Sequence, residues 1–138
     1  MTGGALDKYR EALRAELERL YSKTVAEHAI SPKNMGDIGG YSGFGIVTGP
    51  CGDTMAMWLK IENDTIINAS FTTDGCTTTI AAGSMVTEMV KGKAVTEAQR
   101  IGQQDVLIAL DGLPEESEHC ALLAADTLKE AINDHLAS

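Results

Sequence analysis

Thr54-Met55-Ala56-Met57-Trp58-Leu59-Lys60-Ile61, then Glu62-Asn63-Asp64, then Thr65-Ile66-Ile67-Asn68-Ala69-Ser70-Phe71-Thr72-Thr73: this stretch decides the fold. The first run alternates, with Met55, Met57, Leu59 and Ile61 on one face and Ala56, Trp58 and Lys60 on the other, the period of a strand. The polar triplet reads as a turn. The second run reads as the returning strand, with Ile67, Ala69 and Phe71 on one face, so the two form an antiparallel hairpin. The methionines read as core filling, because thioethers suit soft copper sites and no copper motif accompanies them.

Upstream of the hairpin, glycine is dense from 36 to 52, at Gly39, Gly40, Gly43, Gly45 and Gly49. Such a stretch is conformationally permissive and predicts a first edge strand followed by a mobile approach to Cys51. No GxxxxGKS or GxxxxGKT pattern occurs in it, which argues against a nucleotide site. Downstream, after Gly75-Cys76, the period changes to helical: Ile80, Ala81, Ser84, Met85, Glu88 and Met89 run toward Lys91-Gly92, a cation and a glycine stop. Small residues Ala81, Ala82, Gly83 and Ser84 let this helix approach its neighbours closely. Two short helices follow over 96–101 and 104–110, and a last one over 120–136 carries Leu122, Leu123, Ala125, Leu128, Ala131, Ile132 and Leu136.

At the other end the pattern is helical over 5–28, where Leu6, Leu13, Leu17 and Leu20 recur at helical spacing among charged residues. Ser31-Pro32-Lys33-Asn34-Met35-Gly36 breaks it. The fold class is therefore α+β: a small antiparallel three-stranded sheet packed on one face by helices, with an added N-terminal amphipathic helix. Residues 1–20 form a helical extension and 21–138 the main domain. The extension packs on the domain or mediates self-association into a homo-oligomer. His28, at a helix end, reads as solvated, and His135 as a surface cation favoured by a helix C-terminus.

Composition narrows the function. With 138 residues, 43% hydrophobic and 22% charged, the chain suits one domain with a sizeable core. No apolar run approaches the ~20 residues of a membrane helix. The first residues show neither a secretory nor a transit pattern, so the expected location is cytoplasmic, where cysteines stay reduced. A net charge of −9 argues against a nucleic-acid partner, which needs clustered lysine and arginine.

Three cysteines carry the chemistry: Cys51 in Gly49-Pro50-Cys51-Gly52-Asp53-Thr54, Cys76 in Asp74-Gly75-Cys76-Thr77-Thr78-Thr79, and Cys120 in Glu118-His119-Cys120-Ala121. Their odd number argues against a closed disulfide framework. Cys76 and Cys120 each fall at a predicted helix start, where free N–H groups and the dipole favour a thiolate. Cys51 lies between Pro50 and Gly52, in a loop whose amides can also reach an anionic sulfur. Each has a polar neighbour, Asp53, Asp74 or His119, unlike a buried apolar thiol. Spacing alone leaves three readings standing: a metal or cluster site, a nucleophilic Cys120 with His119, or core cysteines without a role. No C-x-x-C pair announces zinc. Adjacent helix residues rarely point the same way, which places His119 poorly as a base for Cys120.

Read together, these residues resemble the IscU/NifU N-terminal type of iron–sulfur cluster assembly scaffold. The matching stretches are Ser31-Pro32-Lys33-Asn34-Met35-Gly36, Pro50-Cys51-Gly52-Asp53, residues 71–93 around Asp74-Gly75-Cys76, and His119-Cys120-Ala121-Leu122-Leu123-Ala124. Similarity runs from about Tyr21 to the C-terminus. The resemblance implies that Cys51, Cys76 and Cys120 bind the cluster, with Asp53 and His119 as candidates for the fourth ligand. It implies a [2Fe–2S] cluster assembled from iron and from sulfur delivered as persulfide by a cysteine desulfurase, then passed to recipient apo-proteins. Cys120 matches the position that receives sulfur. Related scaffolds hold zinc in the same site, so a zinc-binding sulfur acceptor is the alternative, and a cysteine-dependent enzyme with Cys120 as nucleophile is the alternative from another class.

Two departures stand out. Many IscU proteins carry Leu-Pro-Pro-Val-Lys before the third cysteine, a chaperone-docking segment. Here the chain reads Leu113-Pro114-Glu115-Glu116-Ser117, which argues against hand-off through that dedicated chaperone pair. The family's lysine three residues before the last cysteine is replaced by Ser117. The step from Cys76 to Cys120 also leaves no room for the insertion typical of the zinc-associated SufU branch.

Overall fold

The computed structural model describes residues 4–138. Its elements in chain order are α1 (Gly4–Leu20), α2 (Lys23–Ile30), β1 (Gly43–Thr48), β2 (Thr54–Glu62), β3 (Thr65–Thr73), α3 (Thr77–Val90), α4 (Val95–Ala98), α5 (Gln103–Ala109), a single 3-10 turn (Glu115–Ser117) and α6 (Glu118–Ala137). The strands lie in the order β1-β2-β3, every neighbour antiparallel. Helices α3 and α6 pack on the sheet face that buries Met55, Met57, Leu59 and Ile61. The opposite face is open and carries Phe44 and Trp58, whose rings sit 5.1 Å apart.

The hairpin turn is built by Asn63 and Asp64, with φ of 52° and 59°. Two consecutive left-handed residues are the signature of a tight I′-type hairpin, and Asn and Asp tolerate that region. Beyond the turn the register slips: Ile61 pairs with Ile66, whereas Lys60 pairs with Asn68, leaving Ile67 as an extra residue. This bulge inverts the phase of β3 at its start. Ile66 enters the core and Ile67 is 45% exposed, so Ile67 does not share the inner face with Ala69 and Phe71 as the alternation suggested. Alternation alone cannot register an inserted residue.

The N-terminal helical pattern is two helices, not one. Ser22, with extended backbone, caps α2 by accepting from the Val25 N–H at 3.0 Å, and its hydroxyl donates to the Leu110 carbonyl at 2.6 Å. A serine that satisfies a free amide and a distant carbonyl outweighs helix continuation. Helix α1 buries none of its residues and rests on α2, where Arg14 meets Glu27 at 3.1 Å. His28 departs from the solvated role expected of it. Its Nδ1 lies 2.7 Å from Ser84 Oγ, which also accepts from the Lys33 N–H at 2.8 Å. Burial first, and then the Lys33 charge, lowers the His28 pKa.

The outer edge of β3 is covered by loop backbone. Phe71 N–H donates to the Asn34 carbonyl and Gly36 N–H to the Phe71 carbonyl, both at 2.9 Å, so the proline-broken segment 31–36 docks as a parallel bridge. Ile66 N–H donates to the Lys93 carbonyl further along. Backbone groups that would invite edge pairing are thereby satisfied.

The glycines of β1 have a sharper role than chain freedom. A Cβ on Gly45 would lie 2.7 Å from the Thr127 carbonyl oxygen of α6, and one on Gly43 would overlap the Ala131 carbonyl. Glycine is required because α6 lies directly on the strand backbone. Asp134 completes the junction by accepting the Phe44 N–H at 2.9 Å. On the inner face Gly83 of α3 does the same for the Phe71 ring.

Gly45→Ala is therefore expected to destabilise the fold by about 1–3 kcal/mol, the usual cost of overpacking against fixed atoms. The measurement is the urea midpoint at unchanged m. Gly39→Ala, at a site with nothing within 4 Å of the added carbon, is expected to stay within about 0.5 kcal/mol.

Candidate functional site

The site forms where three chain segments meet at one end of the sheet. The first is the β1–β2 connection, where Gly52 N–H donates to the Gly49 carbonyl at 3.0 Å and Gly49 N–H to the Asp53 carbonyl at 2.8 Å. Gly52 has φ of 93°, a conformation glycine adopts without strain. Pro50 and Cys51 occupy the middle of this turn, and Cys51 is exposed there. Asp53 follows immediately, with its carboxylate directed toward α3.

The second segment is the link from β3 to α3. Asp74 staples it to β2: Thr54 N–H donates to Asp74 Oδ1 at 2.8 Å, and Thr73 Oγ1 donates to the Thr54 carbonyl at 2.6 Å. At Gly75 an added Cβ would lie 2.8 Å from Asp53 Oδ2 and 2.6 Å from Thr79 Cβ. Only glycine leaves room for the Asp53 carboxylate to pass over the backbone. Cys76 then caps α3 with extended backbone and an exposed thiol.

The third segment is the start of α6, which places Cys120 in the helix's first turn, 2% exposed, with His119 beside it. Two threonine hydroxyls of α3 join the set. Thr78 Oγ1 lies 3.3 Å from Cys120 Sγ and 3.6 Å from Cys76 Sγ. Thr79 Oγ1 lies 3.3 Å from Cys120 Sγ and donates to Asp53 Oδ2 at 2.8 Å. His119 Nε2 lies 3.8 Å from Cys120 Sγ.

Asp53, Cys76, His119 and Cys120 are thus gathered by direct and hydroxyl-bridged contacts, and Cys51 stands exposed on the turn that carries Asp53. The donors do not form a closed coordination shell. Among the described residues, no three His, Cys, Asp or Glu side chains are arranged to hold a metal ion. The Thr78 and Thr79 hydroxyls stand between them. Asp74, which borders Cys76 in sequence, is occupied with the β2 backbone instead.

Electrostatics at Cys76 favour the anion. Burial pushes its pKa up, but hydrogen bonds from the Thr78 side chain and from the Thr78 and Thr79 backbone N–H groups outweigh it and hold the thiol below its ordinary value. These are the free amides of the first helical turn, acting as expected on an anion at that end. Thr78 and Thr79 received no role from the sequence. The one available signal was a run of hydroxyls directly after a cysteine at a helix start.

The model of the family described as NifU-like N terminal domain matches residues 20–138. The chain is 44% identical over 117 residues to the iron–sulfur cluster assembly scaffold protein IscU 1 of Archaeoglobus fulgidus, covering 84% of this chain and 76% of that protein. It is 38% identical over 135 residues to the iron–sulfur cluster assembly enzyme IscU of Drosophila melanogaster, covering 89% and 87% respectively. Its fold matches the N-terminal part of a nitrogen-fixing NifU-like protein from Brucella abortus with a TM-score of 0.69, at 17% identity, over 88% of this chain and 98% of that one. No described helix is long and apolar enough to cross a membrane. On the extent of the match and the identity to IscU proteins, the chain belongs to the NifU-like N-terminal domain family.

Proposed function

We propose that this chain is a cytoplasmic scaffold on which a [2Fe–2S] cluster is built and from which it is passed to recipient apo-proteins. Iron and sulfide are its cargo; a cysteine desulfurase supplies sulfane sulfur as a persulfide on Cys120, and a separate two-electron reductant, a thiol or a redox protein, releases it as sulfide. The observation that carries the reading is the convergence of Asp53, Cys76, His119 and Cys120 around two threonine hydroxyls, beside the turn bearing Cys51. Residues 21–138 supply this function, and 1–20 are an extension to it.

The donor set explains why the site would release what it holds. Stable clusters of this kind are held by four thiolates. Here three cysteines are joined by a carboxylate or an imidazole, and a hard oxygen matches iron–sulfur chemistry less well than sulfur does. That corner is the weakest point of the shell. Cys51 on an exposed turn and Cys76 with an exposed thiol leave donor and recipient room to reach the cargo. The protein is a carrier in this account, with no turnover chemistry of its own.

A second reading, a cysteine-dependent enzyme, draws on the 3.8 Å approach of His119 to Cys120, a contact that would have to tighten for the imidazole to act as a base on the thiol. The two readings differ over Cys51 and Cys76, which an enzyme of that kind does not need. A zinc-binding sulfur acceptor uses the same donors but yields a colourless protein.

Anaerobic reconstitution with iron, sulfide and a cysteine desulfurase is expected to give a charge-transfer spectrum with near-equal iron and acid-labile sulfide. Loss of that spectrum in each of Cys51→Ala, Cys76→Ala and Cys120→Ala supports the scaffold. A protein that stays colourless with stoichiometric zinc supports the sulfur acceptor. Asp53→Ala is expected to hold its cluster longer than the wild type against a chelator, and a decay as fast as wild type would overturn the exchange-corner account. In the cargo-free protein, alkylation of Cys76 by iodoacetamide should rise at lower pH than for an ordinary thiol near pKa ~8.5, because the folded state favours the thiolate. Thr78→Ala should move that midpoint upward; a wild-type midpoint at or above the ordinary value would contradict the hydrogen-bonding account.

A further inference from the structure

Thr79 is buried, and its hydroxyl has one hydrogen and two partners. Asp53 Oδ2, as a carboxylate oxygen, only accepts, so it takes that hydrogen at 2.8 Å. The 3.3 Å contact with Cys120 then runs the other way, with the thiol donating to Thr79 Oγ1. The carboxylate is held across Gly75, where no other residue would fit.

We propose that Thr79 is a positioning residue of the cargo site: it turns the Asp53 carboxylate toward Cys120 and so sets the weak corner of the ligand shell. The proposal rests on the scaffold reading above. Asp53 sits on the β1–β2 side of the site and Cys120 on α6, and no direct hydrogen bond joins them among the described residues. The shared hydroxyl is the tie between the two segments. Without it the carboxylate is free to turn to water, and the corner from which the cargo leaves loses its oxygen ligand.

The test compares wild type with Thr79→Val, which keeps the shape and removes the hydroxyl, Thr79→Ser, Asp53→Ala and the Asp53→Ala/Thr79→Val double variant. After reconstitution, the half-life of the iron–sulfur chromophore is read against a chelator. Thr79→Val is expected to lengthen it by about tenfold, the scale of a lost hydrogen bond to a charged group, in the same direction as Asp53→Ala. The double variant should match Asp53→Ala alone, and Thr79→Ser should restore rapid release. Additive effects, an unchanged half-life in Thr79→Val, or failure of Thr79→Ser to restore release would each overturn the proposal. A second arm needs no cargo: the same variants are unfolded in urea. Asp53→Ala and Thr79→Val should be non-additive by at least about threefold in the unfolding constant if the two side chains act as a pair. If wild type takes up no cluster, the scaffold reading fails, and additivity in urea would independently remove the Thr79–Asp53 tie.

Discussion

The close seating of α6 on β1 is the constraint from which the site follows. It is possible only because Gly43 and Gly45 present bare backbone to the carbonyls of Thr127 and Ala131. Interiors pack at crystal-like density, so a single methyl at such a contact cannot be absorbed without moving the helix. The Phe44 amide then bonds to Asp134, tying the same strand to the last turns of the same helix. The strand continues into the turn that bears Cys51 and Asp53, and the helix begins with His119 and Cys120. One interface far from the chemistry therefore sets the relation of two of the three segments.

The remaining segment is placed by the β2–β3 pairing and the staple from Asp74 to the Thr54 amide. With the strands in register, Gly75 falls beneath the Asp53 carboxylate and the first turn of α3 opens toward Cys120. The free amides of that turn face the Cys76 sulfur, and the hydroxyls of Thr78 and Thr79 fill the space between the donors. Local helix-end chemistry and long-range packing thus act on the same atoms. This is a physical reason for the lowered pKa of Cys76.

The proposed cargo must both bind to such a site and leave it. On the proposed role, thiolates would supply affinity for iron, while a carboxylate held by a hydroxyl would supply a corner that can be displaced. The net charge of −9 keeps polyanions away and suits docking on basic protein surfaces. The helical extension α1, packed on α2 with none of its residues buried, lies apart from the cysteine segments in the contacts it makes.

Much of this was legible along the chain. Alternation from Met55 to Ile61 named the central strand and its buried face, because a period of two has one physical meaning over seven residues. The change of period after Cys76 placed a helix start on a cysteine. The motif residues Cys51, Asp53, Cys76, His119 and Cys120 were recognised by kind and order. What the sequence could not say depends on atoms brought together from afar. Ile67 left the core because a bulge inserted it between paired strands, and Ser22 split the first helix because its hydroxyl found the Leu110 carbonyl. Gly43, Gly45 and Gly75 are needed for clearance under α6 and under Asp53 rather than for freedom of the chain. Thr78 and Thr79 became part of the site only when α6 carried Cys120 against them. Residue type and period determined the elements and the donors; only packing, where side chains compete for the same space and the same hydrogens, decided which donors meet.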